Sequence, residues 1–146
     1  LELLKKNKVA VVCGILSGTL ASLTGIFVLC MLFGFNHQQY VTMLPKSITT
    51  AIGIGISEEL GGIVTITVAV IIITGILGNV IADTVFHIFK IKNPLAKGLA
   101  LGTASHAIGT ARAIEMGPVE GAMSSLAVAV AGLLTVVFVS GFAQLI

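Results

Sequence analysis

The sequence has little charge and few aromatic side chains. Charged residues make up 10% of its 146 residues, tryptophan is absent, and tyrosine occurs once. A typical soluble domain carries about 25% charged residues. Together with 56% hydrophobic residues and a mean hydropathy of +1.12, this scarcity of charge predicts a membrane protein. The net charge of only +2, without a basic stripe interleaved with aromatics, gives no support for a nucleic-acid partner.

The sequence patterns of common enzymes and metal sites are also missing. The chain contains no H-E-x-x-H helix, no G-x-S-x-G elbow and no Walker loop. Its two cysteines, Cys13 and Cys30, fall on one predicted helix. Seventeen residues at a rise of 1.5 Å separate them by about 25 Å, so they neither bridge each other nor form a zinc set. We therefore expect no enzymatic activity, no cofactor and no metal.

Long uncharged runs are present instead, at residues 9–35, 63–82 and 121–146. Each is long enough to cross a bilayer, which takes about 20 apolar residues. Lysines precede the first run and follow the second, at Lys5, Lys6, Lys8, Lys90, Lys92 and Lys97. The positive-inside rule places both lysine clusters in the cytoplasm. Because the chain starts at Leu1 without methionine, we expect residues 1–146 to be one membrane domain, the C-terminal part of a longer protein with further spans before it.

Two polar segments, residues 44–62 and 99–117, interrupt this apolar sequence. A shift of 56 positions (107 − 51) aligns five residues of the first with identical residues of the second: Ala51, Ile52, Gly53, Glu59 and Gly61 with Ala107, Ile108, Gly109, Glu115 and Gly117. Hydroxyls, glycines and charges are costly inside a bilayer and are usually there for function. Paired interruptions of this kind indicate a transport site.

The fold expected from this pattern is an all-α, multi-pass bundle of transmembrane helices with two broken or re-entrant polar segments. If each segment dips into the membrane and returns, the two enter from opposite faces and form an inverted repeat. If each crosses fully, the repeats are parallel. We expect the inverted arrangement.

A break in the second segment would free backbone N–H groups at the start of a half-helix, which favours anion binding. Arg112 would add a forked donor suited to a carboxylate, or would pair with Glu115 three residues later. His106 is either a proton carrier or a hydrogen-bonded packing residue. The predicted substrate-binding residues, from both segments, are Ser47, Thr49, Thr50, Thr103, Ser105, His106, Thr110 and Arg112.

Three further charged residues are candidates for ion coupling or for a structural role. Lys46 is either a ligand of the anion or a side chain that reaches to the membrane interface. Glu59 binds a coupling cation or proton, or is an exposed loop carboxylate, and Glu115 occupies its repeat position.

Several motifs make the chain similar to a known family. They are residues 44–50 (LPKSITT), 56–62 (ISEELGG), 93–113 (NPLAKGLALGTASHAIGTARA) and 115–124 (EMGPVEGAMS). The sequence resembles the LrgB/CidB family of antiholin-like proteins over nearly its whole length. The resemblance implies a multi-pass protein of the bacterial cytoplasmic membrane that restrains murein hydrolases and cell lysis together with holin-like partners of the LrgA/CidA type. It also implies transport, because plastid relatives are regarded as glycolate/glycerate carriers and bacterial relatives have been tied to pyruvate. It brings no established catalytic residues.

The residues and the resemblance together predict a secondary transporter of small monocarboxylates, of the pyruvate, glycolate and glycerate class, linked to control of murein hydrolase activity and lysis. Its expected partners are the lipid bilayer, a small organic anion, holin-like membrane proteins and further copies of itself. The alternative is an antiholin-like regulator that transports nothing and acts by binding holin-like proteins.

Overall fold

The computed structural model describes residues 6–146, so Lys5, one of the lysines used to orient the chain, lies outside the described residues. Within residues 6–146 the regular structure is helical throughout, as predicted. In chain order, the helices are α1 (Lys8–Phe33), α2 (His37–Met43), α3 (Thr50–Glu59), α4 (Val64–Ile88), α5 (Pro94–Met116) and α6 (Pro118–Ala143).

Helices α1, α4 and α6 are long and apolar enough to cross a membrane. Their lengths of 25 or 26 residues correspond to about 38 Å at 1.5 Å per residue, which exceeds a hydrocarbon core of roughly 30 Å. The three predicted spans are therefore confirmed, with shifted ends. The third begins at Pro118, where a missing N–H costs nothing, and Glu120 lies in its first turn near the positive end of the helix dipole.

Helix α5 turns back on itself at His106, where the backbone leaves the helical region (φ 43°, ψ −138°). Its partners on α4 show the reversal. Lys97 lies over Phe86, Ser105 packs on Gly78, and His106 reaches Ile71. The chain then returns. Asn79 donates to the carbonyl of Ile108, and Asp83 binds Arg112. We call Pro94–Met116 the second hairpin. It begins and ends at the end of the bundle that carries Lys8, Lys90, Lys92 and Lys97, which we call the lysine-rich end.

Residues 37–62 form an equivalent turn from the opposite end of the bundle, which we call the far end, and we call this segment the first hairpin. Tyr40 near its start donates a 2.8 Å hydrogen bond to the carbonyl of Phe142, close to the end of α6. The tip reaches Ser22, near the middle of α1, through Ser47. Helix α3 then leads the chain back.

The two hairpins thus enter the bundle from opposite ends, and each stops near the middle. This arrangement is the one that an inverted repeat requires. A relationship of the two halves by symmetry stays a prediction.

The far end is closed by a compact apolar cluster. Its buried members are Leu23, Ile26, Cys30, Tyr40, Val41, Leu44, Ile48, Ile56, Val139 and Ala143. Tyrosine favours the membrane interface, but the side chain of Tyr40 is 0% exposed. Burial raises the pKa of its phenol to about 12, so it remains a neutral donor to Phe142.

Buried hydroxyls fasten the first hairpin to α4. Thr67 Oγ1 lies 2.8 Å from Ser57 Oγ and donates to the carbonyl of Thr42 at 2.9 Å. The backbone N–H of Ile63 donates to Thr42 Oγ1 at 2.8 Å. These bonds join the start of the hairpin, its return helix and the next span, so its two ends are held together at the far end.

Candidate functional site

A groove runs between α1 and the first half of α5, from the lysine-rich end to the tip of the first hairpin. Its volume is about 780 Å³. Small, hydroxyl and amide side chains dominate the α1 wall, which consists of Asn7, Ala10, Val11, Gly14, Ser17, Gly18, Ala21 and Ser22. The α5 wall and the preceding cap consist of Asn93, Leu95, Ala96, Leu99, Ala100, Thr103 and Ala104. From Ala10 to Ser22 the groove extends about 18 Å, at 1.5 Å per helical residue.

The deep end of the groove is formed by the tip residues Lys46 and Ser47. Lys46 Nζ donates to Ser47 Oγ at 2.7 Å, and Ser22 Oγ donates to the same oxygen at 3.0 Å. Both lone pairs of that oxygen are therefore occupied, which leaves the Ser47 O–H proton for a further acceptor. Within residues 6–146 no carboxylate lies within 4.0 Å of the Lys46 ammonium. The deep end is therefore rich in donors and has a positive charge without a counter-ion.

Helix α3 adds a positive partial charge beside this cluster. It begins at Thr50, four residues after Lys46, and its N-cap Thr49 makes no side-chain capping bond. The first N–H groups of a helix have no partner within the helix and carry its positive dipole end. The start of α3 therefore strengthens the preference of the tip for an anion.

Close packing of α1 on the second hairpin forms the side of the groove. A Cβ atom on Gly18 would lie 2.6 Å from Thr103 Oγ1, and one on Gly14 would lie 3.1 Å from Leu99. Thr103 turns its hydroxyl towards the carbonyl of Leu99 at 2.8 Å. Glycine at these positions brings the helices together, so the Thr103 side chain reaches the groove wall.

The remaining predicted residues of the second hairpin lie behind the groove wall rather than in it. His106 Nε2 is 2.9 Å from the carbonyl oxygen of Ile71. Thr110 Oγ1 donates to the His106 carbonyl at 2.9 Å and lies 2.8 Å from Ser124 Oγ. Ser105 is buried against α4 at Gly78. These side chains hold the tip of the second hairpin between α4 and α6.

In an uninterrupted helix, Arg112 would share a face with Ser105, seven residues earlier. The structure does not place the two residues on one face. The chain reverses at His106, so Arg112 lies back at the lysine-rich end. There it pairs with Asp83 of α4, and its Nη1 donates to Glu115 Oε2 at 2.6 Å. The hydrogen bond with Asp83 raises the pKa of the guanidinium. The expected pairing with Glu115 is present, and the groove lining does not include Arg112.

The acidic candidates also lie away from the groove. Glu59 is exposed at the end of α3, at the far end, and Glu115 is exposed at the lysine-rich end. Thr49 and Thr50 are half-buried at the start of α3 and are not part of the groove lining. Of the predicted residues, the structure brings together Lys46, Ser47 and Thr103.

Ser22 is the member of the deep end that sequence reasoning missed. It lies inside an uncharged run, where a single serine carries little signal of its own. A signal was nevertheless present, because Ser22 follows Gly18 by four residues and shares its helix face. Gly14, Gly18 and Ala21 form a stripe of small residues of the kind that allows close helix packing in membranes. The same stripe forms one wall of the groove.

Comparison with known proteins gives one consistent result. Residues 1–145 match the LrgB-like family. The antiholin-like protein LrgB of Bacillus subtilis (strain 168) is 40% identical over 143 residues, covering 98% of this chain and 62% of the relative. Its namesake in Bacillus cereus (strain B4264) is 41% identical over 139 residues, covering 95% and 60%. The chain thus spans about three-fifths of the length of these relatives. No solved structure gives a significant match.

The match to the family extends over nearly all of the sequence and includes both hairpins and all three spans. The predicted resemblance is therefore confirmed at the level of the family. This protein is a membrane protein that belongs to the LrgB-like family.

Proposed function

We propose that the protein is a secondary transporter of small monocarboxylates and that the carboxylate binds at the deep end of the groove. The observation that carries this proposal is the donor cluster of Lys46, Ser47 and Ser22, which has a free O–H proton and an ammonium without a counter-ion. A charged side chain inside a membrane protein is costly and marks a functional site by default. A small carboxylate supplies the missing negative charge and the missing acceptors.

The expected chemistry of binding is direct. One carboxylate oxygen accepts from the Lys46 ammonium and the other from the Ser47 hydroxyl, beside the positive end of α3. Hydrogen bonds to charged groups contribute about 1.5–3 kcal/mol each. The groove residue Ala21, adjacent to Ser22, is apolar and suits a short carbon chain rather than a second charge. The site therefore fits monocarboxylates of the pyruvate, glycolate and glycerate class.

The shape of the bundle supports alternating access. The groove runs from the lysine-rich end to the middle, whereas the far end is closed by the apolar cluster around Tyr40 and Leu44. By the positive-inside rule this is the state that faces the cytoplasm. Transport then requires the first hairpin to move relative to α1, so that the tip becomes accessible from the far end.

The direct test is uptake of labelled pyruvate, glycolate and glycerate into proteoliposomes. We expect uptake of at least one of them by the wild-type protein. Lys46→Gln, which keeps an N–H donor and removes the charge, should weaken apparent affinity by about 10- to 100-fold, the equivalent of 1.5–3 kcal/mol. The matched control is Lys90→Gln, an exposed lysine outside the groove. Absence of uptake by folded wild-type protein, or an unchanged Lys46→Gln variant, would contradict the proposal.

The relatives are named antiholin-like, which supports a link to control of lysis. We propose that this link includes murein hydrolase control in the bacterial cytoplasmic membrane, as the family resemblance implies. We propose transport as the molecular activity beneath that link, with holin-like proteins and further copies of the chain as candidate partners. The second candidate function is a regulator that only binds holin-like proteins. It predicts that lysis control survives Lys46→Gln, whereas the transport proposal predicts that uptake and lysis control are lost together.

A further inference from the structure

His106 occupies an unusual backbone conformation at the tip of the second hairpin. Its φ of 43° and ψ of −138° lie outside the regions that residues with a side chain prefer. Such conformations cost on the order of 1–3 kcal/mol and concentrate at functional sites. Contacts hold it in place, since Thr110 donates to its carbonyl and the ring packs at Gly75, where a Cβ atom would lie 2.8 Å from Cε1.

The hydrogen bond to α4 fixes which ring nitrogen carries the resident proton. A carbonyl oxygen only accepts, so the 2.9 Å contact with Ile71 requires the hydrogen on Nε2. The nitrogen that gains or loses a proton is therefore Nδ1. Among the described residues, Nδ1 has no hydrogen-bond partner. The one side-chain nitrogen or oxygen there that is both fully enclosed and without a partner is Thr19 Oγ1, so Nδ1 is not fully enclosed. Nδ1 accordingly retains a small accessible surface, although His106 as a whole is only 3% exposed.

The charged surroundings of the ring are simple. Lys46, at the tip of the first hairpin, lines the groove together with Thr103 and Ala104, which precede His106 by three and two residues. Its charge acts on the ring of His106 from there. Ile71 and Gly75 of α4 and Ser124 of α6, which face this tip, carry no charge. The ion pairs of Asp83, Arg112 and Glu115 lie towards the lysine-rich end. Within the described residues, Lys46 is thus the charged group whose electrostatic effect reaches the ring of His106.

We infer that His106 is the proton-coupling residue of the transporter and takes up a proton at Nδ1 when a carboxylate binds at Lys46. This inference rests on the proposed function. Burial of the ring opposes protonation of His106 most strongly, and the Lys46 ammonium opposes it further while the site is empty, because two neighbouring cations repel each other. A bound carboxylate cancels the charge of Lys46 and so lowers the opposition. The proton comes from water, binds the lone pair of Nδ1, and returns to water when the anion leaves.

Thermodynamic linkage makes the effect reciprocal. If the bound anion raises the affinity of His106 for a proton, protonation of His106 raises the affinity of the site for the anion by the same factor. One proton then moves with each monocarboxylate, and transport carries no net charge. The hydrogen bond to Ile71 is compatible with both states, because Nε2 keeps its proton throughout. The anion thus binds at the tip of the first hairpin, and the proton binds at the tip of the second.

The test compares two assays of labelled pyruvate in proteoliposomes. Counterflow without a pH gradient reports anion binding and exchange, and accumulation driven by a pH gradient reports coupling. For His106→Gln, which keeps a donor for Ile71, we expect counterflow to persist and gradient-driven accumulation to disappear. His106→Asn is a second variant, because asparagine tolerates positive φ. His87→Gln, an exposed histidine at the lysine-rich end, should behave as wild type.

The outcomes separate the two proposals. Wild-type counterflow without accumulation on a pH gradient, or full accumulation by a His106 variant, would overturn the inference and leave the carrier proposal standing. No counterflow by folded wild-type protein would overturn both. If neither variant folds, the deciding measurement is proton uptake by the wild-type protein when pyruvate is added in a weakly buffered medium. About one proton per bound anion supports the inference, and none refutes it.

Discussion

Ser22 of α1 donates a 3.0 Å hydrogen bond to Ser47 at the tip of the first hairpin, although the two residues are 25 positions apart. The bond attaches a non-helical tip to the middle of a spanning helix. It also orients Ser47, whose oxygen is occupied by Ser22 and Lys46 and whose proton is left for a ligand.

Ser22→Ala removes that attachment. We expect the Michaelis constant for carboxylate uptake to rise by about 3- to 10-fold, the equivalent of one hydrogen bond of about 0.5–1.5 kcal/mol. Ser17→Ala is the matched control, because Ser17 lines the groove nearer the lysine-rich end and bonds only to its own helix at Gly14. Equal effects of both substitutions on uptake would argue against a role for Ser22 at the site.

Gly18→Ala tests the close approach of α1 and the second hairpin. The added Cβ lies 2.6 Å from Thr103 Oγ1, and such overpacking costs about 1–3 kcal/mol. Gly25→Ala on the same helix meets nothing within 4 Å and should gain stability, since alanine is the better helix former. Heat-induced exposure of the buried Cys30 to a thiol-reactive dye, in a Cys13→Ala background, measures both. Equal stability of the two variants would contradict the packing.

Thr67→Val tests the closure of the far end. The substitution deletes the bonds to Ser57 and Thr42, and interhelical hydrogen bonds in membrane proteins contribute about 0.5–2 kcal/mol. We expect lower thermal stability in detergent and faster thiol labelling of Cys30, which lies in the apolar cluster at the far end. Thr65→Val, an exposed position on the same helix, should leave both unchanged. Unchanged Cys30 labelling in Thr67→Val would show that these bonds do not close that end.

Arg112→Gln tests whether the arginine binds substrate. Because Arg112 is bound to Asp83 and Glu115 at the lysine-rich end, we expect the apparent affinity for carboxylate to stay within about threefold of wild type, as for other exposed ion pairs. Asp83→Asn should give a similar result, since it breaks the same pair. If a correctly inserted Arg112→Gln protein loses uptake while Asp83→Asn keeps it, Arg112 takes part in substrate binding and this prediction is wrong.

The spans and the two interruptions could be predicted from sequence because hydropathy and polar breaks are local properties. The shift of 56 positions carries Ser47 onto Thr103, and both residues line the groove. It also carries Thr50, where α3 begins, onto His106, the turning point of the second hairpin. These agreements favour the internal repeat.

The residue assignments could be predicted only in part, because they depend on contacts between distant segments. The position and partners of Arg112 depend on Asp83, 29 residues earlier, and on the reversal at His106, which a helical-wheel argument cannot anticipate. The residue type of Tyr40 favours the membrane interface, but the side chain is buried and α6 supplies its acceptor at Phe142. Ser22 lies at the deep end of the groove because the tip of the first hairpin, 25 residues later, reaches it.

The most direct test of the carboxylate site is substrate protection of a cysteine at the deep end of the groove. In a protein without Cys13 and Cys30, Ala21→Cys places a thiol on the groove wall beside Ser22, and Ala10→Cys places one on the same wall near the lysine-rich end, away from Lys46. We predict that a membrane-impermeant thiol reagent labels Ala21→Cys from the cytoplasmic side and that pyruvate slows this labelling but not that of Ala10→Cys. Labelling of Ala21→Cys that saturating pyruvate, glycolate and glycerate all leave unchanged would contradict a carboxylate site at Lys46.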